Sequence, residues 1–551
     1  MEKESFKYAV LLSLIILLGF AAKYIIINYE WIDTDEGNYI YDAKLLLEGA
    51  RPFEDFYLKD VMYISILALF GKIFGFSLII GRLLSIIFSL VTAIFVYKIG
   101  SMLHDKKTGL VACIIYIFMP FTIFWDSLIR EYTLLMMLVG IAIYYAIKFT
   151  RTEKPAYMIA NSFFMFLALL TRRSVALLII MELILLAYMY RNRLNFMLKT
   201  FIYGFIGIAV PLVLLLIYSY ALDASFIKML GFEFTPYIEI FSWQQFLGLR
   251  AVLPYWLFRE ASFIMALCII VLAYNSSKSM KKIMLFGVLF LVVTSEIIFW
   301  YLITFFPKRM GQYPITSEWF ILTGLFYAVL LFVTAYYESI SNLTKHRQNG
   351  FILIWFFSMI AFYFFYPRWH VVYFMELMPA AAIMAAPLLK ELFRNKTVLN
   401  KTFLFVLLIG IVLSTVFYVN YHGISNKWSP RDANEIALYI KENSNKNDEI
   451  FTPLTFIPIL AERKLALNIS HPLFYHFEGA GEEDKVGVPS FNTIIDYMER
   501  NNVKYVVTNN QMDVTYYALK PYIMEYIEEN YVLEKDFGGT QVLVRRDKIN
   551  L

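Results

Sequence analysis

Cysteine is almost absent from this chain, and charge is scarce. Only two cysteines occur, Cys113 and Cys268, both inside apolar segments, which excludes a disulfide framework and a thiolate metal site. Six histidines form no ligand cluster: His104 and His346 lie far from His422, His471 and His476, and only His370 neighbours other charged loop residues. No HExxH, CxxC, P-loop or GxSxG pattern is present, which disfavours zincin and nucleotide-driven chemistry. Charged residues make up 17% of the chain, and the net charge of +5 is dispersed over loops, so no nucleic-acid partner is expected. No repeat of solenoid length and no low-complexity tract is visible.

What the chain has instead is apolar length. It is 60% hydrophobic, with a mean hydropathy of +0.60, well outside the soluble globular range. Segments long enough to span a bilayer fall at about 8–28, 78–97, 108–125, 132–149, 157–171, 174–190, 200–220, 258–274, 283–303, 318–337, 350–366, 370–389 and 402–420. The first lacks a small-residue cleavage site and reads as a retained signal anchor. Val61–Phe74 differs: its 14 residues reach only ~21 Å as a helix, so it is expected to lie in the membrane interface. That choice puts Lys98/Lys106/Lys107, Lys148/Arg151/Lys154, Arg191/Arg193/Lys199, Lys278/Lys281/Lys282, Lys345/Arg347 and Lys390/Arg394/Lys396/Lys401 on one side. By the positive-inside rule this side is cytoplasmic, the N-terminus with it, and the tail after residue 420 is outside.

The expected fold is an α-helical polytopic membrane protein. It consists of a bundle of about thirteen spans over 1–420, then a small extracytoplasmic α/β domain over 421–551. In the tail, Asn434–Asn443 and Thr493–Asn501 carry helical amphipathicity, while Tyr505–Thr508 and Gln541–Arg545 read as strands.

The external loops gather the carboxylates and a few isolated cations. Asp33, Asp35 and Glu36 follow the first span directly, then Gly37–Leu47 reads as an amphipathic helix along the membrane, and Lys59 precedes the interfacial helix. Asp126, Arg130 and Glu131 occupy the next external turn, Arg172 and Arg173 the tight one after it, Lys308 and Arg309 another, and Arg368 with His370 the last. A charge beside hydrocarbon costs roughly 2.5–3.5 kcal/mol even on lenient scales, so the Arg172–Arg173 pair needs a reason. Guanidinium matches phosphate geometry, which offers one: a lipid-borne phosphate. The alternative is ordinary snorkelling to bulk lipid headgroups. Glu376 and Glu296 lie within spans and are expected to face the bundle interior.

On these residues the chain resembles a known family. TDEGNYIYDAKLLLEG followed by FYLKD and a short apolar helix is similar to the first external loop of GT-C glycosyltransferases that use polyprenyl-phosphate sugars. Protein O-mannosyltransferases and lipid A aminoarabinose transferases are the relatives it resembles. GRLLSIIFSLVTAIFVYKIGSMLHDKKTGLVACIIYIFMP, FLALLTRRS and YPRWHVVYFMELMPAAAI match later blocks, so the likeness covers roughly 8–390. Two departures stand out. Where relatives place Lys-Pro-Pro or His-Pro-Pro, this chain has Lys59-Asp60-Val61, and the WWDYG-type motif of oligosaccharyltransferases is missing. The second departure argues against whole-glycan transfer to asparagine.

The resemblance implies an inverting glycosyltransferase. A sugar would move from a dolichyl or undecaprenyl phosphate donor to a hydroxyl on a protein, glycan, lipid or envelope polymer. Asp35 or Glu36 is the expected general base. Lys59, Arg172, Arg173 and Arg368 are the expected ligands of the donor phosphate. Asp126, Glu131, His370, Tyr373, Glu376, Lys308 and Arg309 are further site candidates. No cofactor is required, and no metal is demanded because side chains stabilise the leaving group, although the acidic first loop has the ligands to hold one. Membrane lipid is the other expected partner. A lipid or lipid-linked-sugar flippase would instead spread charge through the bundle. A membrane-anchored scaffold would give the Arg172–Arg173 pair no task.

Overall fold

The computed structural model describes residues 2–27, 32–58, 60–230, 348–365, 371–394, 430–468, 470, 490–509 and 521–548. The expected spans at 258–274, 283–303, 318–337 and 402–420 lie outside these residues, as does the boundary placed at 420/421. The described part of the first 420 residues is helical throughout. In chain order the helices are α1 (Glu2–Ile26), α2 (Thr34–Leu47), α3 (Val61–Phe74), α4 (Leu78–Leu103), α5 (Lys106–Phe118) and α6 (Pro120–Trp125). They continue with α7 (Glu131–Thr152), α8 (Pro155–Thr171), α9 (Val175–Tyr190), α10 (Leu194–Ala221) and α11 (Phe226–Met229). After the undescribed stretch come α12 (Asn349–Phe365), a 3-10 turn over Val371–Leu377, and α13 (Met378–Arg394).

Among the described residues four helices, α1, α4, α7 and α10, are long and apolar enough to cross a bilayer. Together with the shorter apolar helices they make this an integral membrane protein. Two expected spans differ in detail. The segment at 108–125 is broken at Met119, where Pro120 starts a new helix because proline has no N–H to continue the old one. The segment at 370–389 opens as a 3-10 turn before becoming α13. Val61–Phe74 is one helix with the expected bounds, packed against α2, α4 and α8 through Tyr63, Ile64, Leu67 and Ala68.

Charge inside the bundle is organised by α4. Arg82, Ser85, Ser89 and Thr92 recur at helical spacing on its buried face. Arg82 grips Glu36 with two parallel bonds, Nε to Oε1 at 2.8 Å and Nη2 to Oε2 at 2.7 Å, and its Nη1 donates to the Ile27 carbonyl at 2.6 Å. The same Glu36 accepts from Ile129 N at 3.0 Å and from Asp33 N at 3.0 Å. One residue pair therefore fastens the end of α1, the start of α2, α4 and the approach to α7. A second buried pair works lower down α4. Lys23 donates to Asp126 Oδ2 at 3.1 Å and to the Thr122 carbonyl at 2.6 Å, and Ser89 and Tyr116 donate to the same carboxylate oxygen.

The tail folds around a five-stranded mixed sheet. Its elements are α14 (Pro430–Asn443), β1 (Glu449–Phe451), α15 (Phe456–Ala461), β2 (Lys464–Leu465), α16 (Phe491–Arg500), β3 (Tyr505–Asn509), α17 (Pro521–Asn530), β4 (Tyr531–Asp536) and β5 (Thr540–Arg545). The strand order is β2-β1-β3-β5-β4, with β1 parallel to both neighbours and β5 antiparallel to β3 and β4. The turn between β4 and β5 uses Gly538 and Gly539 at positive φ, a backbone that L side chains rarely adopt. Apolar residues of α14 and α15 belong to the same continuous core as α2 and the bundle, so the tail is packed onto the membrane part.

The Glu36–Arg82 pair has a measurable consequence. Arg82→Met keeps bulk but strands a buried carboxylate, and is expected to cost ~3–5 kcal/mol of unfolding free energy. The double variant Arg82→Met/Glu36→Gln should lose less than the sum of the two single changes, as unfolding in detergent would report. Strict additivity would mean that the two side chains do not depend on each other.

Candidate active site

The site grows from the first turn of α2. Asp33 caps the helix: its carboxylate accepts from Asp35 N at 3.0 Å, and its own N–H is held by Glu36 in a reciprocal capping box. With Asp33 and Glu36 committed to the helix end, Asp35 points away from both tasks. Arg130, just ahead of α7, bridges Asp33 and Asp35, reaching the latter at 3.0 Å. The guanidinium also lies over the Trp125 ring, 6.0 Å from its centroid. Burial alone would lower the Arg130 pKa, but Asp33 and Asp35 outweigh it and hold the group well above its usual range. It is a permanent cation.

A second lattice adjoins the first. The Tyr39 hydroxyl lies 2.5 Å from Glu131 Oε2 and 3.0 Å from Asp60 Oδ2, so one phenolic proton is shared between two carboxylates. Burial, reinforced by Glu131, Asp60 and Asp35, pushes the Tyr39 phenol far up, which keeps it a donor. Asp60 itself sits in the left-handed region at φ 51° as the N-cap of α3, without a side-chain cap bond. Arg172 ends α8 and joins Glu131 at 2.5 Å to Glu376 at 3.0 Å. Its guanidinium lies against the rings of Tyr132 and Tyr373, 4.3 and 4.9 Å from their centroids, which are 6.1 Å from each other.

The structure thus sorts the expected residues. Glu131, Tyr373 and Glu376 come together around Arg172, and Asp35 lies in the adjoining set around Arg130. Arg173 is exposed beside it, in the three-residue turn that separates α8 from α9. Three assignments change. Glu36 is no longer a candidate base: it is fully buried, and both its oxygens already accept two hydrogen bonds each. Asp126 faces Lys23, Ser89 and Tyr116 inside the bundle and has a structural task there. Arg172 is a strut between two buried carboxylates, so its Nε and Nη1 are taken by protein partners in place of the expected phosphate. Lys59, Lys308, Arg309, Arg368 and His370 lie outside the described residues, as does Glu296.

Several participants escaped the sequence reading. Lys23 and Arg82 sit inside apolar helices, and a charge there demands a partner, so their presence was a usable signal. Arg130 was legible as a loop charge but not as the bridge between two aspartates. Tyr39, Asn38 and Asp60 carry no such signal, because polar residues in an external loop are ordinary. Among the described residues no three His, Cys, Asp or Glu side chains converge as a set able to hold a metal ion.

Five carboxylates (Asp33, Asp35, Asp60, Glu131 and Glu376) face two guanidiniums (Arg130 and Arg172) in this network. Such an acidic excess does not bind an anion by itself. Exposure divides the carboxylates: the Asp35 side chain is 22% exposed and Asp60 is half-buried, while Asp33, Glu131 and Glu376 are buried.

The family model described as dolichyl-phosphate-mannose-protein mannosyltransferase matches residues 59–218. No curated protein matches the sequence significantly. Among solved structures, the archaeal oligosaccharyltransferase AglB from Archaeoglobus fulgidus, in complex with an inhibitory peptide and a dolichol-phosphate, is 13% identical with a TM-score of 0.51. That match covers 99% of this chain and 75% of the other. ArnT from Cupriavidus metallidurans bound to undecaprenyl phosphate is 12% identical, covering 97% of each chain with a TM-score of 0.49. The chain therefore resembles the dolichyl-phosphate-mannose-protein mannosyltransferases in sequence over residues 59–218, and its fold is similar to that of the archaeal oligosaccharyltransferase AglB.

Proposed function

We propose that the protein transfers a sugar from a polyprenyl phosphate to a hydroxyl acceptor, with inversion, on the extracytoplasmic face of the membrane. The observation that carries this reading is Asp35: a partly exposed carboxylate fixed by Arg130 at the head of α2, beside the segment that matches the mannosyltransferase model. In the reaction the acceptor oxygen attacks the anomeric carbon, the bond from that carbon to the phosphate oxygen breaks, and the acceptor proton passes to Asp35. Polyprenyl phosphate leaves as a monoester, one negative charge richer than the diester it was.

That added charge needs cations placed where the leaving oxygen will be. The acidic network does not provide them, since Arg130 and Arg172 are already matched by carboxylates. Arg173 is exposed at the same turn, and the loops bearing Lys59 and Arg368 supply further positive charge in sequence. The scheme requires no metal. The polyprenyl chain would lie along the apolar helix faces that the bundle exposes.

The base assignment is tested with purified protein and a panel of undecaprenyl- and dolichyl-phosphate sugars, reading released polyprenyl phosphate. Asp35→Asn should lower kcat by ~100-fold or more with donor binding retained, because a base acts in the chemical step. Turnover near wild type would remove Asp35 from the reaction.

The two neighbouring arginines should separate. Arg173→Ala is expected to weaken donor binding several-fold with an unchanged unfolding transition. Arg172→Ala should lower stability by ~3–5 kcal/mol, since it strands Glu131 and Glu376 in the interior. Equal effects of both changes on donor binding alone would return Arg172 to the phosphate.

Orientation follows the charge pattern of the loops. A cysteine replacing Glu54 should react with an impermeant thiol reagent applied outside, and one replacing Lys154, in the turn between α7 and α8, should be shielded. The reverse pattern would place the site on the cytoplasmic face.

A further inference from the structure

Among the described residues, the C-terminal domain reaches the neighbourhood of Asp35 through a polar contact. Gly37 in α2 lets the start of α15 come close: a Cβ there would stand 2.5 Å from Thr455 Oγ1 and 2.8 Å from the Thr455 carbonyl carbon. At the next residue, the buried Thr455 hydroxyl donates to Asn38 Oδ1 at 2.6 Å. Asn38 Nδ2 in turn faces Asp35 Oδ1 at 3.5 Å, the outer limit of a hydrogen bond. Three residues further on, Tyr41 accepts from Leu465 N at 3.1 Å and donates to Asn468 at 3.1 Å, which fastens α2 to β2 and the segment after it without reaching Asp35.

The acceptor-only carboxylate orders the amide. Because Asp35 can only accept, Asn38 turns its NH2 toward Asp35 and its oxygen toward the tail, where the buried Thr455 hydroxyl donates to it. Valine at 455 takes that donor from the amide oxygen, and with it a contact that holds the NH2 against the Asp35 carboxylate.

We propose that Thr455 is a positioning residue for Asp35, acting through the Asn38 carboxamide, so that the C-terminal domain is part of the transfer machinery and not only a cover. The inference rests on reading Asp35 as the base. Arg130, itself paired with Asp33, holds one oxygen of the Asp35 carboxylate, and the Asn38 amide faces the other. Docking of the domain sets that amide.

The test compares Thr455→Val, Thr455→Ser, Tyr41→Phe and Asp35→Asn in the full-length protein, with the same polyprenyl-phosphate sugars and polyprenyl phosphate release as the readout. Thr455→Val should lower kcat about five- to tenfold, the effect of one hydrogen bond, while the donor KM stays within about twofold. Thr455→Ser should restore kcat, since it restores the proton. Tyr41→Phe loosens the same interface away from Asp35 and should leave kcat within about twofold of wild type. Hydrogen exchange over residues 34–47 reports the docking of α2 in every variant, whether or not a donor is turned over, and should be faster in Tyr41→Phe than in Thr455→Val. The inference is overturned if Thr455→Val turns over like wild type, if serine fails to rescue it, or if Tyr41→Phe loses as much kcat. It is equally overturned if α2 exchanges as freely in Thr455→Val as in Tyr41→Phe. An active Asp35→Asn would sink the reading of the base itself, a separate failure from an inactive Asp35→Asn beside a fully active Thr455→Val.

Discussion

The bidentate contact between Arg82 and Glu36 is the constraint on which the site depends. Neither charge is tolerable in a helical bundle alone, and together they are tolerable only when every remaining lone pair is filled. The Ile129 and Asp33 amides fill those on Glu36, and the Ile27 carbonyl takes a proton of Arg82. Satisfying two charges thus determines where the end of α1, the head of α2, the start of α4 and the approach to α7 must meet. Asp35 is one residue from Glu36, and Arg130 one residue from Ile129. The geometry of the proposed base is therefore inherited from a pair that takes no part in the chemistry.

Around that anchor the cluster alternates in sign. Asp33 and Asp35 share Arg130, while Glu131 and Glu376 share Arg172, and Tyr39 joins Glu131 to Asp60. Arg130 ties the approach to α7 to the head of α2, and Arg172 ties the end of α8 to α7 and the 3-10 turn, so these pairs join elements as much as they prepare a reaction. The Tyr132 and Tyr373 rings beside Arg172 add to this, since a planar guanidinium with two aromatic neighbours and two carboxylate partners has little freedom left. An arginine fixed in this way orders the α8–α9 turn, and Arg173 gains its place from that order.

The tail contributes by contact and not by a cleft. Its parallel half, β2-β1-β3, brings α15 and the following turn against α2, and Gly37 removes the side chain that would hold them apart. The antiparallel half, β3-β5-β4, completes the sheet on the far side. A helix that carries a proposed base in its first turn and a domain interface from the end of that turn through the next is a short lever between two parts of the molecule.

The sequence by itself determined the membrane character, the bounds of α3 and α9 to within a residue, and the presence of two helices and two strands in the tail. These follow from hydrophobic length and periodicity, which are local properties. It also pointed to Asp35 and the Arg172–Arg173 turn as near one another, because alternating spans bring every second loop to the same face. Only the tertiary structure decided which charge meets which. Glu36 and Asp35 are adjacent in sequence and equally acidic, yet one is buried with all its acceptor sites in use and the other is partly open. Arg172 and Arg173 differ in the same way. Partner choice among like residues depends on helix rotation and crossing, and a rotation of 100° per residue sends neighbouring side chains to different surroundings. The link from Thr455 to Asn38, 417 residues apart, had no local signature at all: it arises from the packing of a domain onto a helix.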